Sequence, residues 1–371
     1  MKELSRRRFE IGFAPRRAGW WLLIAASLVG AGMAAWALLP GARMFPVAAV
    51  MGLVFTPPLV IGWWWLLRLP QLWSRISTSG TIAAMAWCAF AAAGIYALPA
   101  NSALITVFGQ HLGIDAAHTW GAALIAPFTE ESSKALGIVV VLLAAGQRIR
   151  TPMDAALLGA FSAVGFTATE DLLYGLNIAY LNLGENQVIS TTVIYAVRAI
   201  VFGPVSHIVF SSAVGAGIGV LAVGRRRGRI PTGIALIALG AGLHGLWNSP
   251  WLGAVWARIV YLVVVPFVLW AVLRYVRSEE HRWFRQVLGR PGALGAVPAA
   301  YVDTVGATWW KRRAYRASVV KTFGAGALAP QRILEAELTD LADAVDVGDE
   351  AAADALRARL EGRLGSATPR L

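Results

Sequence analysis

The sequence predicts an all-α fold: a polytopic bundle of about eight membrane-spanning helices, followed by a small helical cytoplasmic tail. Three observations predict it. Of 371 residues, 57% are hydrophobic and only 15% charged, where soluble proteins average roughly 25% charged. Eight apolar stretches, at 20–39, 44–67, 81–108, 117–145, 152–181, 190–223, 231–249 and 251–273, each approach or exceed the about 20 residues that a spanning helix needs. Basic residues cluster in every second connection between them. A soluble fold of this composition would leave large apolar patches in water. That excludes an ordinary soluble enzyme, a secreted disulfide scaffold and a disordered chain. The formal charge of +12 then belongs to cytoplasmic loops facing anionic lipid headgroups, and no nucleic-acid partner is expected. The lone Cys88 rules out an internal disulfide and a multi-cysteine metal site.

Taken in order, residues 1–19 form a basic N-terminal segment with Arg6, Arg7, Arg8, Arg16 and Arg17. No cleavable signal peptide is expected, because the first stretch is long enough to span and no small-residue cleavage site ends it. Pro57-Pro58 interrupts the second stretch, and Gly203-Pro204 interrupts the sixth just before His207. Such interruptions are tolerated only where the freed backbone groups face protein or a water-filled cavity. Arg68 and Arg75, Arg148 and Arg150, Arg225, Arg226, Arg227 and Arg229, then Arg274 and Arg277 occupy alternate connections, with Arg43 the main exception. By the positive-inside rule both termini are expected in the cytoplasm, in a multi-pass protein of the cell membrane. The membrane domain is expected over 20–273, with its motif core at 117–250, and a cytoplasmic tail over 274–371. Within the tail, 274–328 mixes basic and aromatic residues, as in Trp309-Trp310-Lys311-Arg312-Arg313, which suits a membrane surface. Residues 330–363 read as one or two amphipathic helices, from Ile333, Leu334, Leu338 and Leu341 and then Leu356, Leu360 and Leu364, parted at Val347-Gly348-Asp349.

A charge at the bilayer centre costs at least about 2.5–3.5 kcal/mol, so ionisable residues inside the apolar stretches are candidates for function. The fourth stretch carries Glu130, Glu131 and Lys134; the fifth carries Phe166, Glu170 and Asp171. Lys134 stands four residues after Glu130 and three after Glu131, so it can pair with either along a helix. Phe166, Glu170 and Tyr174 share one face. The sixth stretch carries His207, Ser211, Gly215, Gly217 and Gly219, and the seventh His244 and, four residues on, Asn248. One Glu–Lys pair would serve as a salt bridge, Glu170 could partner Lys134, and a single histidine could be a packing residue. Two acidic pairs beside two histidines exceed what packing needs.

The chemistry this set can perform is hydrolysis: a carboxylate as general base, a second as acid, and imidazole and amide donors for the oxyanion. His nitrogens and Glu oxygens can equally ligate a divalent metal such as zinc. No HExxH and no GxSxG occurs. The residues alone leave the metal unassigned; the two histidines on separate spans favour a metal-free mechanism. Which of Glu130 and Glu131 is the base stays open. The depths of these residues predict a polar cavity in the outer half of the membrane, lined by the four motif helices.

Glu130-Glu131-x-x-Lys134, Phe166-x-x-x-Glu170, His207 and His244-x-x-x-Asn248 resemble the four motifs of the PrsW intramembrane proteases, relatives of the CAAX prenyl endopeptidases in the CAAX/ABI membrane protease group. The resemblance covers roughly 117–250 and not the tail. It implies a glutamate-dependent peptidase acting on a membrane-associated protein. Glu130 or Glu131 would activate water, Glu170 assist or position, and His207, His244 and Asn248 support the transition state. It also implies an anti-sigma factor as substrate, cut at an extracytoplasmic site-1 position. Asp171 departs from the pattern, standing where an amide commonly follows the motif glutamate. The competing class is a proton- or cation-coupled transporter, which intramembrane carboxylates and histidines also build; the paired broken helices of an inverted repeat are not evident in the sequence. A catalytically silent scaffold is the third reading.

Overall fold

Long apolar runs with helical spacing of small residues fold as helix nearly throughout. The computed structural model describes residues 9–69, 76–305 and 309–367, and none of these forms a β-strand. The helices are α1 (Ala18–Met44), α2 (Pro46–Leu66), α3 (Thr78–Leu112), α4 (Ile114–Ala145), α5 (Pro152–Leu181), α6 (Gln187–Phe202), α7 (His207–Val223), α8 (Arg229–Trp247) and α9 (Val255–Leu288). Six of them, α1, α2, α3, α5, α8 and α9, are long and apolar enough to cross a membrane, and α6 with α7, bent by about 40°, is a candidate seventh, a broken span or a re-entrant loop. The remaining apolar stretch, the fourth, is α4, 32 residues long. Its Glu130, Glu131 and Lys134 set it apart in composition from the others. Arg6, Arg7, Arg8 and Arg75 of the basic-loop pattern lie outside the described residues.

The proline interruptions behave differently from one another. Pro57-Pro58 stays inside α2, and Pro127 inside α4. The break comes at Gly203-Pro204: Val197–Phe202 winds as π-helix, Gly203–Val205 as 3₁₀-helix, and a new helix starts at His207. π turns appear mostly as local insertions, frequently at functional sites.

α5 is the central helix. It opens on a capping box, Thr151 with Asp154, with Pro152 at its first position, and every residue from 151 to 166 is buried. Its closest neighbour is α7. A Cβ on Gly159 would stand 2.2 Å from the Ser211 carbonyl oxygen, and one on Gly215 2.3 Å from that of Ala155. Only glycine permits this backbone approach, the usual device for packing helices where no hydrophobic drive separates helix from lipid. It brings His207 of α7 beside Glu170 of α5.

The chain divides into two compact units after Val276, within α9, which runs on past residue 273 to Leu288. The second unit contains α10 (Ala299–Val305), α11 (Trp309–Phe323), α12 (Leu328–Val347) and α13 (Glu350–Ala367). Gly348, in the left-handed region at φ 74°, ends α12, so the two amphipathic helices part where Val347-Gly348-Asp349 predicts. Trp283, Phe284, Leu338, Leu341 and Leu360 form the core of this unit. Buried Glu335 receives Arg312 Nη2 at 2.7 Å and also binds Arg316. Burial pushes the Glu335 carboxyl up, but the hydrogen bonds from Arg316 and Arg312 outweigh it and hold the group below the usual carboxylate range.

Candidate active site

Helices α4, α5, α7 and α8 place their ionisable side chains in one largely buried cluster. α4 supplies Glu130, Glu131 and Lys134 a turn apart, so that Lys134 Nζ lies 3.4 Å from Glu130 Oε2 and 2.8 Å from Glu131 Oε1. The same ammonium donates to His207 Nδ1 at 2.9 Å and sits 4.1 Å above the Phe166 ring. Phe166 therefore acts as an aromatic floor for Lys134. Lys134 makes no ion pair with Glu170 among the described residues; Glu170 instead faces His207 Nε2 at 2.8 Å.

Each imidazole is oriented by a carboxylate behind it. His207 turns Nε2 to Glu170, and His244 turns Nδ1 to Glu131 Oε1 at 3.0 Å. In a neutral imidazole the nitrogen facing a carboxylate carries the proton, and the other presents its lone pair. Those other nitrogens converge: His244 Nε2 is 3.6 Å and His207 Nδ1 4.0 Å from Glu130 Oε2. The rings meet edge to face with centroids 5.0 Å apart, and Phe210 stacks on His244. Two histidines on separate spans are thus neighbours, because α7 and α8 pack closely; their separation in sequence is no argument against a shared metal.

Glu130 Oε2, His207 Nδ1 and His244 Nε2 fit a cation. One donor atom from each of these three buried residues lies within 4.8 Å of the others. Tetrahedral ligand atoms with bonds of about 2.0–2.1 Å stand roughly 3.3 Å apart, and the two separations from Glu130 Oε2, 3.6 and 4.0 Å, are wider. The second partners of both imidazoles are carboxylates, the arrangement that fixes tautomer and ring orientation around bound metals.

The two glutamates of the pair are not equivalent. Glu131 has partners on both oxygens: Lys134 and His244 meet Oε1, and Ser211 Oγ donates to Oε2 at 2.7 Å. Glu130 accepts from Asn101 Nδ2 at 3.1 Å through Oε1 and turns Oε2 to the imidazoles. Asn101 is itself held by Thr129. Among the residues the sequence reading selected, the structure brings together Glu130, Glu131, Lys134, Phe166, Glu170, His207 and His244. Asp171 touches the cluster through Arg198. Asn248 is not brought in: α8 ends before it, its backbone N–H closes the helix on His244, and its side chain makes no hydrogen bond among the described residues.

Arg198 is the residue the sequence reading missed. Its Nη2 reaches Glu170 Oε2 at 2.6 Å and its Nε binds Asp171. The signal was available, since Arg198 is a charge inside the sixth apolar stretch and meets the criterion applied to the others. Asn101 carried a weaker signal, being polar but uncharged. Beside Arg198 and Asp171, a cavity of about 20 Å³ is lined by Thr56, Trp63, Thr167 and Gly203 among others. It is the size of one water and is lined from α2, α5, α6 and, through Ile208, α7, with no residue of α4 or α8.

The sequence model of a protein family described as PrsW family intramembrane metalloprotease matches residues 78–273, over half of the chain. No curated protein and no solved structure matches. The match lends no support to the transporter alternative.

Proposed function

Because this chain belongs to the PrsW family of intramembrane metalloproteases, we propose that Glu130, His207 and His244 hold a catalytic divalent cation, zinc by donor type, and that the site hydrolyses a peptide bond in a membrane-associated protein. The observation that carries the reading is the convergence of Glu130 Oε2, His207 Nδ1 and His244 Nε2, each imidazole backed by its own carboxylate. Charge supports it as well. Among the described residues, the permanently charged partners of Glu130, Glu131, Glu170 and Asp171 are Lys134 and Arg198, so four carboxylates meet two cations. With neutral imidazoles the surplus is two negative charges, costly in an apolar interior and matched by one divalent ion.

A divalent cation held there supplies Lewis-acid polarisation of the scissile carbonyl and makes water acidic enough to act as nucleophile near neutral pH. The chain's own residues do the rest. Three protein ligands leave a position open for water or substrate, as catalytic sites require. Glu131 positions His244 and Lys134, both of which meet its Oε1. Lys134 shares two of the ligand atoms; its closest partner, Glu131 Oε1 at 2.8 Å, remains available when those are used. There its ammonium offers positive charge to the developing oxyanion.

With both termini in the cytoplasm of a cell membrane, α8 runs outward and His244 lies in its last turn, near the extracytoplasmic face. Glu131 stands about halfway along α4, and His207 opens a new helix at the break, which brings both toward the same level. This supports an extracytoplasmic scissile bond, and an anti-sigma factor is the substrate class that the family resemblance implies. Shed ectodomains released from membranes bearing the wild-type chain or Glu130→Gln, with and without a chelator, test the reading. Products are expected from the wild type alone, lost on chelation and restored by zinc. Products that persist with Glu130→Gln, or under complete chelation, overturn it.

A further inference from the structure

Resting on that reading, we propose that Arg198 is a positioning residue: it clamps Glu170 against His207 and so fixes the imidazole nitrogen that faces Glu130. One oxygen, Glu170 Oε2, takes both Arg198 Nη2 at 2.6 Å and His207 Nε2 at 2.8 Å. The guanidinium lies 4.0 Å over the Tyr174 ring and reaches Asp171 with its Nε. Arg198 is therefore held on three sides, and Glu170 is held through it. Glu170 needs such a brace, because its side chain is 19% exposed where those of Glu130 and His207 are 8% and 5%.

The chemistry requires arginine. Glu170 and Asp171 are adjacent in the chain, and a planar guanidinium reaches two carboxylates at once through different nitrogens, which a lysine point charge does not reproduce. Asp171, where the resembling motif commonly carries an amide, adds a second charge that only this fork neutralises among the described residues. α6 presents Arg198 from its π-helical stretch. That stretch is anchored on α2, where Thr56 Oγ1 and Tyr195 Oη lie 3.1 Å apart and Trp63 packs on Gly203. Without Arg198, Glu170 gains freedom to leave Nε2, and His207 loses the partner that keeps Nδ1 turned to the ligand cluster.

The test is zinc affinity of the purified full chain in detergent, by competition with a chromogenic chelator, with helix content and thermal unfolding measured alongside. Arg198→Gln is expected to weaken zinc binding about 10–100-fold, the usual loss when the partner behind a metal-ligating histidine goes. Arg198→Lys is expected to recover part of the loss. Asp171→Asn is expected to stay near wild type, since Arg198 still serves Glu170. Should Arg198→Gln not accumulate, the double variant Arg198→Gln/Asp171→Asn removes the uncompensated charge and carries the test, with the same weakening expected. A folded Arg198→Gln, or that double variant, binding zinc like the wild type overturns the clamp while leaving the cation reading intact. A wild type that takes up no zinc overturns the cation reading, and the clamp with it.

Discussion

Lys134 and His244 share Glu131 Oε1, and Ser211 takes Oε2, whereas Glu130 meets only Asn101 with Oε1 and keeps Oε2 toward two imidazoles. The pair should therefore separate by mutation. Glu130→Gln is expected to abolish cleavage and cation binding while the protein accumulates and unfolds like the wild type. Glu131→Ala strips Lys134 and His244 of a buried partner, a loss of about 3 kcal/mol, and is expected to lower the melting temperature and membrane accumulation together with activity. Equal melting temperatures for the two variants would contradict the division of roles. Asn248→Ala is expected to leave zinc affinity within about two-fold of wild type, because its side chain makes no hydrogen bond to the cluster among the described residues. Most of the cluster was legible in the sequence for one physical reason: an ionisable group in an apolar span is costly enough to need a purpose. Helical spacing also told which carboxylates Lys134 reaches. Asn248 caps α8 with its N–H on the His244 carbonyl, and its side chain makes no hydrogen bond among the described residues, a detail that i,i+4 spacing does not carry. Arg198 meets the same criterion, but its partners Glu170 and Asp171 lie on another helix, a pairing that local spacing does not show.

At the level of helices, the site depends on how closely α7 lies on α5. Gly159→Val or Gly215→Val places side-chain atoms where carbonyl oxygens already stand, and each is expected to prevent accumulation of the folded chain, whereas Gly62→Ala in α2, with open space around it, is expected to be neutral. Membrane immunoblots check both. The span positions were readable from hydropathy, and the α6–α7 break from Gly203-Pro204. The persistence of α2 through Pro57-Pro58 was not readable, because it depends on neighbours that hold the helix together. In the second unit, Glu335 has a lowered pKa in the folded state, so its ion pairs stabilise above the unfolded value of about 4.3, and that contribution is lost as pH falls through the folded value. Hydrogen exchange over α11 and α12 in the full chain should show Glu335→Gln less protected than wild type at pH 7. The difference is expected to vanish in strong acid. A difference that persists there would assign the effect to packing rather than charge.

For the molecule as a whole, the alternation of basic connections predicts a chain whose site opens toward the extracytoplasmic side. Reporter fusions at residues 43, 115, 185 and 250, all at helix ends or connections, are expected to read extracytoplasmic. A cytoplasmic signal at 115 or 185 would invert α4 and α5, and with them the side on which substrate is cut. The central claim, that three residues from α4, α7 and α8 form one cation site, is tested most directly by elemental analysis of the purified, detergent-solubilised chain after dialysis against trace zinc. The expected result is one zinc ion per wild-type chain and none in Glu130→Gln, His207→Ala or His244→Ala, each folded by circular dichroism. A wild type without zinc, or the same stoichiometry in all four, would contradict the account.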